Sequence, residues 1–190
     1  QLAYSGDIDI TGFRRPASYF REVVFGLRRD PYITVQNPYR YGEKLMKTPW
    51  VISDSMSSWT YPGQEGKPVI VELYAPGDET ELFVNGVSLG RKPAGSAAGY
   101  RTLFETVYVP GTLRAVSYEN GAEIGSMELH TAGAQRRLVL TADVPGERKI
   151  KAGALAFVMI ECRDAAGTVA DDGELTLTAE ITGDAVLLGF

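Results

Sequence analysis

Asn85-Gly86, set between the runs TELFV and VSLGRK, constrains this chain more than any other pair of residues. A two-residue hairpin turn whose twist suits its strands needs positive φ at both central positions, which Asn and Gly adopt most readily. The runs around it are rich in β-branched and aromatic residues, and Pro, Gly and Asp punctuate them. Upstream, VIVELYA (69–75) is followed by PGDE, so the stretch from Trp59 to Pro93 reads as a three-strand antiparallel meander. Val69, Val71 and Leu73 form an apolar face opposite the mixed set Ile70, Glu72 and Tyr74, and Leu82 and Val84 continue the apolar face.

The pattern carries on downstream. RTLFETVYV, a PGT turn, LRAVSYE, a second Asn-Gly at 120–121 and AEIGSMELHTA follow in turn. About six short strands between Val69 and Ala132, with regularly spaced turn signals, describe an Ig-like β-sandwich, assigned here to residues 55–132. A second β pattern starts near Gly133 with QRRLVLTADV, LAFVMIECRD and ELTLTAEITGDAVLLGF. Leu175, Leu177, Ala179 and Ile181 alternate with polar residues, as in a half-buried strand. Residues 133–190 are expected to be a second Ig-like sandwich, incomplete, with an open sheet edge that invites a homodimer.

Residues 1–54 differ. Pro16 suits a first helical turn, and Phe20, Val23, Val24 and Leu27 fall at i, i+3, i+4 and i+7. A helix of about 16–28 is expected, stopped by Gly26, Asp30 and Pro31, and it needs a partner because short helices are marginal alone. From Tyr32 to Val51 the chain reads as an extended connector, with ITVQ as a short strand and Asn37-Pro38 and Thr48-Pro49 disfavouring helix.

Three segments, W-x-Y-P-G-x-E-G-K-P from Trp59, E-L-F-V-N-G-x-S-L-G from Glu81 and V-P-G-T-L-R-A-V-S-Y-E-N-G from Val109, resemble the β-sandwich region that follows the catalytic barrel in bacterial family-2 glycoside hydrolases of the β-galactosidase type. GDIDITGFRRPASYFR resembles the segment just after the last barrel strand, with the barrel's final helix. The resemblance implies a mainly β, Ig-like fold with a short N-terminal helix left from a (β/α)8 barrel. It also implies that the catalytic barrel of the same parent chain is the partner. The two catalytic Glu of that barrel lie on earlier strands, so the implied role is non-catalytic support of an enzyme cleaving terminal β-glycosidic bonds.

Composition excludes several other classes. The net charge of −5 is interspersed, giving no basic face for nucleic acid, and no run of about 18 apolar residues suggests a membrane span. The single cysteine, Cys162, excludes an internal disulfide and reads as a small buried hydrophobe. His130, the only histidine, has no second His with which to form a zinc site. No cofactor is expected.

Four candidates for binding or chemistry remain. Trp50, Trp59 and Tyr61, with Tyr39 and Tyr41, concentrate aromatic rings in the connector; they either stack on sugar, as in an independent carbohydrate-binding module, or plug a domain junction. Asp7 and Asp9 are paired carboxylates, but glycoside hydrolysis needs its pair on separate elements flanking a sugar. Asp164, Asp171, Asp172 and Glu174 surround a turn and read as a solvated turn or an oxygen-ligand Ca²⁺ site. KPAGSAAGYR lacks the G-K-[ST] of a phosphate loop.

Overall fold

The computed structural model describes residues 6–9, 12–44, 53–143, 153–171 and 175–189. Helix α1 (Pro16–Val24) is followed by β1 (Tyr32–Val35), β2 (Pro68–Tyr74), β3 (Glu79–Val84), β4 (Val87–Pro93), β5 (Arg101–Val107), β6 (Thr112–Glu119) and β7 (Ala122–His130). Strands β8 (Arg136–Ala142) and β9 (Val158–Asp164) complete the order. A three-stranded sheet β1-β2-β5 faces a four-stranded sheet β4-β3-β6-β7, and every pairing is antiparallel. The connector expected to end at residue 54 therefore supplies a strand of the sandwich: Tyr32–Val35 pair with Val71–Tyr74.

The expected meander breaks at its first joint. β2 pairs with β1 and β5, never with β3, so PGDE carries the chain from one sheet to the other. At this corner Asp78 N–H donates to the Tyr118 carbonyl at 2.7 Å, and a Cβ at Gly77 would run into that same carbonyl. Turn residues mark a corner and a hairpin alike; what differs is where the apolar faces meet. Val69, Val71 and Leu73 point inward from one sheet and Leu82 and Val84 from the other, all within 9% exposure. Ile33, Phe104, Leu113 and Ala115 close the same core. Both Asn-Gly pairs do form the turns their residues demand: φ is +49° and +80° at 85–86 and +51° and +78° at 120–121.

α1 is shorter than the expected 16–28. Gly26, in a left-handed conformation at φ +69°, donates to the Val23 carbonyl, and Leu27 N–H donates to Glu22 O at 2.8 Å. These two bonds are the Schellman closure of a helix whose last residue is Val24. Leu27, counted into the apolar stripe, lies beyond the closure and is 79% exposed.

Beyond the sandwich, β8 and β9 form a two-stranded antiparallel sheet. The half-buried strand expected at 175–181 has no ladder partner among the described residues, and Leu175 and Ile181 are exposed. Alternation in sequence shapes a strand's faces, but a ladder also needs a neighbour to accept its bonds. Cys162, expected to be buried, is only half-buried on β9.

Candidate functional site

Two features of the outer surface of the β1-β2-β5 sheet stand out. The first is the N-terminal segment. α1 turns Tyr19, Phe20 and Val23 toward Tyr32 and Tyr74, with Tyr100 and Met127 at the margin. Tyr19 stacks on Tyr32 with ring centroids 3.9 Å apart, and Phe20 meets Tyr74 edge-on at 5.3 Å. The Arg14 guanidinium lies 4.0 Å over the Tyr19 ring, and Arg28 lies near Tyr19 and Tyr32. Glu22 joins the two arginines, at 2.7 Å to Arg14 and 3.1 Å to Arg28, and the Arg14 bond leads in holding its carboxyl below the usual range. Burial pushes the Tyr32 hydroxyl up to about 12. The helix is thus fastened inward by rings and charge. The same segment leaves Ile8, Phe13, Val24, Phe25 and Leu27 exposed to solvent.

The second feature is a buried carboxylate. Glu72, on the outward side of β2, is 0% exposed. Arg101 of β5 grips it through two bonds, Nη2 to Oε1 at 2.7 Å and Nε to Oε2 at 3.0 Å. Gln36 Nε2 and Ser53 Oγ donate to the same Oε1 at 2.5 and 2.8 Å. The guanidinium is raised above its ordinary value, chiefly by its hydrogen bond to Glu72. A fully buried carboxylate is tolerated only when it is paired and hydrogen-bonded, as Glu72 is by Arg101, Gln36 and Ser53. Sequence reasoning placed Glu72 on the mixed face and took it no further. The signal was one acidic residue inside an otherwise apolar strand, since Glu is almost never fully buried unless paired.

The residues singled out in the sequence fall elsewhere. Trp59 and Tyr61 are 1% and 6% exposed and belong to the sandwich core, so neither offers a ring face to a sugar. Trp50 lies outside the described residues. Tyr39 and Tyr41 are exposed, and the Tyr39 hydroxyl donates to the Pro62 carbonyl at 3.0 Å. A shallow depression of about 230 Å³, lined in part by Arg40, Tyr41, Glu43 and Asp54, lies beside them. Asp7 pairs with Arg21, and Asp9 accepts the Phe13 N–H at 2.9 Å; both serve the loop ahead of α1. Asp164 accepts backbone N–H groups from Gly133, Ala166 and Thr168, and Asp171 accepts the Ser58 hydroxyl. Asp172 and Glu174 lie outside the described residues. His130 closes β7 beside the Thr112 hydroxyl and Glu128. Among the described residues no group of three or more His, Cys, Asp or Glu is placed to hold a metal ion.

Residues 66–125, from the loop before β2 to the middle of β7, match a family model described as a domain of unknown function, DUF4982. The chain is 28% identical to the β-galactosidase BoGH2A of Bacteroides ovatus over 98% of its own length and 21% of that protein. A solved structure of a glycosyl hydrolase family 2 member from Bacteroides cellulosilyticus superposes with a TM-score of 0.74 at 32% identity, covering 88% of this chain and 22% of that one. A β-glycosidase from Bacteroides vulgatus matches with a TM-score of 0.61 at 25% identity, over 86% of this chain and 18% of the other. The chain spans about a fifth or less of the length of the curated relatives it matches, 21% of one and 16% of another.

Proposed function

We propose, on the premise that this chain is a β-sandwich region of a family-2 glycoside hydrolase, that it is the non-catalytic support of that enzyme's catalytic barrel. The parent enzyme would hydrolyse terminal β-glycosidic bonds, in the manner of a β-galactosidase. The observation that carries the reading is the two-sidedness of the N-terminal segment. α1 is fastened to the sandwich through Tyr19, Phe20 and Val23, while Ile8, Phe13, Phe25 and Leu27 in the same segment are exposed by half or more. Apolar residues gathered on one segment of a surface are the mark of an interface, and a barrel joined to this segment would bury them. The paired carboxylates that glycoside hydrolysis requires around a cleft have no counterpart in the places of Asp7 and Asp9, which are engaged in a local loop.

The test uses the complete parent enzyme and this chain side by side. The chain alone is expected to give no turnover of a chromogenic β-galactoside and no calorimetric heat with galactosides. In the complete enzyme, Phe25→Asp with Leu27→Asp is expected to lower the melting temperature of the barrel and to reduce activity through instability rather than through KM. Turnover by the chain alone sinks the reading. So does a charged pair at 25 and 27 that leaves barrel stability unchanged.

A further inference from the structure

The chain continues past β1 at Gln36 and comes back beside it at Ser53–Met56. Val35 and Met56 mark the neck of this excursion, joined as an antiparallel bridge by two backbone bonds of 2.8 and 2.9 Å. Just inside the neck, one leg presents Gln36 and the other presents Ser53, and both donate to the same oxygen of Glu72. Arg101 holds that carboxylate from β5, the strand paired with β2. Glu72 thus joins three pieces of chain that are distant in sequence: the outgoing leg, the returning leg and the sheet itself.

We propose that Glu72 is a clasp that fastens the Gln36 and Ser53 legs of the chain onto the sandwich, and that opening it loosens these two legs without unfolding the sheets. The separation of roles follows from where the groups lie. The apolar core is built by Val69, Val71 and Leu73 on the inner side of β2, whereas Glu72 and its donors occupy the outer side. Loss of the clasp removes no core volume. Other ties on the described legs include the Val35–Met56 bridge, the Gln36 N–H to the Ile70 carbonyl at 2.9 Å, the Ser55 hydroxyl against the Tyr74 hydroxyl, and Tyr39, edge-on to Tyr61 and bonded to Pro62. Hydrogen bonds to an ionised carboxylate are stronger than neutral ones, so the clasp outweighs each of these ties taken singly. Bringing two legs of chain together costs closure entropy that some local contact must offset, and a carboxylate touching both legs at the neck is well placed to do so. The sandwich remains paired through β2-β5 and β3-β6 whether the neck is open or shut.

Hydrogen exchange on the whole chain tests this, in wild type, in Glu72→Gln and in the double variant Gln36→Leu with Ser53→Ala. The double variant keeps the Glu72–Arg101 pair and cuts only the two legs' side of the clasp. The Gln36 and Met56 amides, bonded to Ile70 and Val35, are expected to exchange about tenfold or more faster in both variants. The Ala115 and Val116 amides in β6 are expected to keep their wild-type protection. If Glu72→Gln fails to fold, the double variant decides alone. Unchanged exchange at Gln36 and Met56 in the double variant overturns the clasp, as does a uniform acceleration through β2, β5 and β6.

Discussion

Tyr108 follows β5 at the corner where the chain crosses to β6, and its ring is wedged edge-on between Trp59 at 4.9 Å and Tyr61 at 5.7 Å. Its hydroxyl, buried with the ring, accepts the Tyr61 N–H at 3.1 Å and faces the Trp59 carbonyl. Thr131 reinforces the corner by donating to the Trp59 carbonyl at 2.7 Å and accepting the Gly111 N–H at 2.9 Å. Trp59 completes it through its indole N–H to the Val109 carbonyl. Trp59 and Tyr61, two of the rings that suggested a sugar platform, thus form with Tyr108 a bracket across the end of the sandwich. Tyr108→Phe keeps the ring and strands the buried Tyr61 N–H, so it should cost about 1–3 kcal/mol in a urea titration. A cost near zero would mean that the hydroxyl is idle. Trp59→Ala, the obvious variant for a sugar-binding test, removes a wholly buried ring and should cost about 3–5 kcal/mol. Lost binding in that variant would therefore report unfolding.

At the scale of elements, the sequence was legible where local chemistry decides and illegible where distant partners do. The Asn-Gly turns, the Pro16 start and the strands between Val69 and His130 follow from φ preference, ring constraint and alternation, all local properties. Which sheet β3 joins is decided by Tyr118, forty residues away, through the bond that closes the Gly77 corner. The covering of Tyr74 and Glu72 was equally hidden, because α1 and Arg101 arrive from elsewhere in the chain. Helix α1 itself was found by its period but overextended, since Leu27 satisfies the spacing while Gly26 ends the geometry. Nine residues do not hold a helix alone in water, so α1 exists through its docking. Val23→Asp places an unpaired charge against Tyr32 and Tyr74 and should release the helix. Helical circular dichroism at 222 nm should then fall while sandwich stability drops by only about 1–2 kcal/mol, the value of one apolar contact patch. If helix signal and sandwich are lost in a single transition, α1 is a core member and the docking argument is wrong.

At the scale of the whole molecule, polar bonds tie the β8–β9 sheet and the chain leading into it to the sandwich. The Ala132 N–H donates to the Thr60 hydroxyl, the Ser58 hydroxyl donates to Asp171, and the Gly133 N–H donates to Asp164 Oδ2 at 2.8 Å. Asp164 also accepts Ala166 and Thr168 through Oδ1, so one carboxylate shapes the turn after β9 and receives the chain leaving the sandwich. These backbone donors, Gly133 foremost, hold its carboxyl below the usual 3.8. The folded state therefore binds fewer protons than the unfolded state in this range. The stabilisation is complete above pH 3.8 and fades as the pH falls through the lower folded value. Amide resonances of Gly133, Ala166 and Thr168 should shift together in a single acid step with a midpoint below 3.8. Asp164→Asn keeps one oxygen acceptor, removes the charge and should abolish that step while β6 and β7 stay paired. A wild-type midpoint at or above 3.8 would mean that the three donors give the carboxylate no advantage, and the junction would have to be held by Ser58 and Thr60 instead.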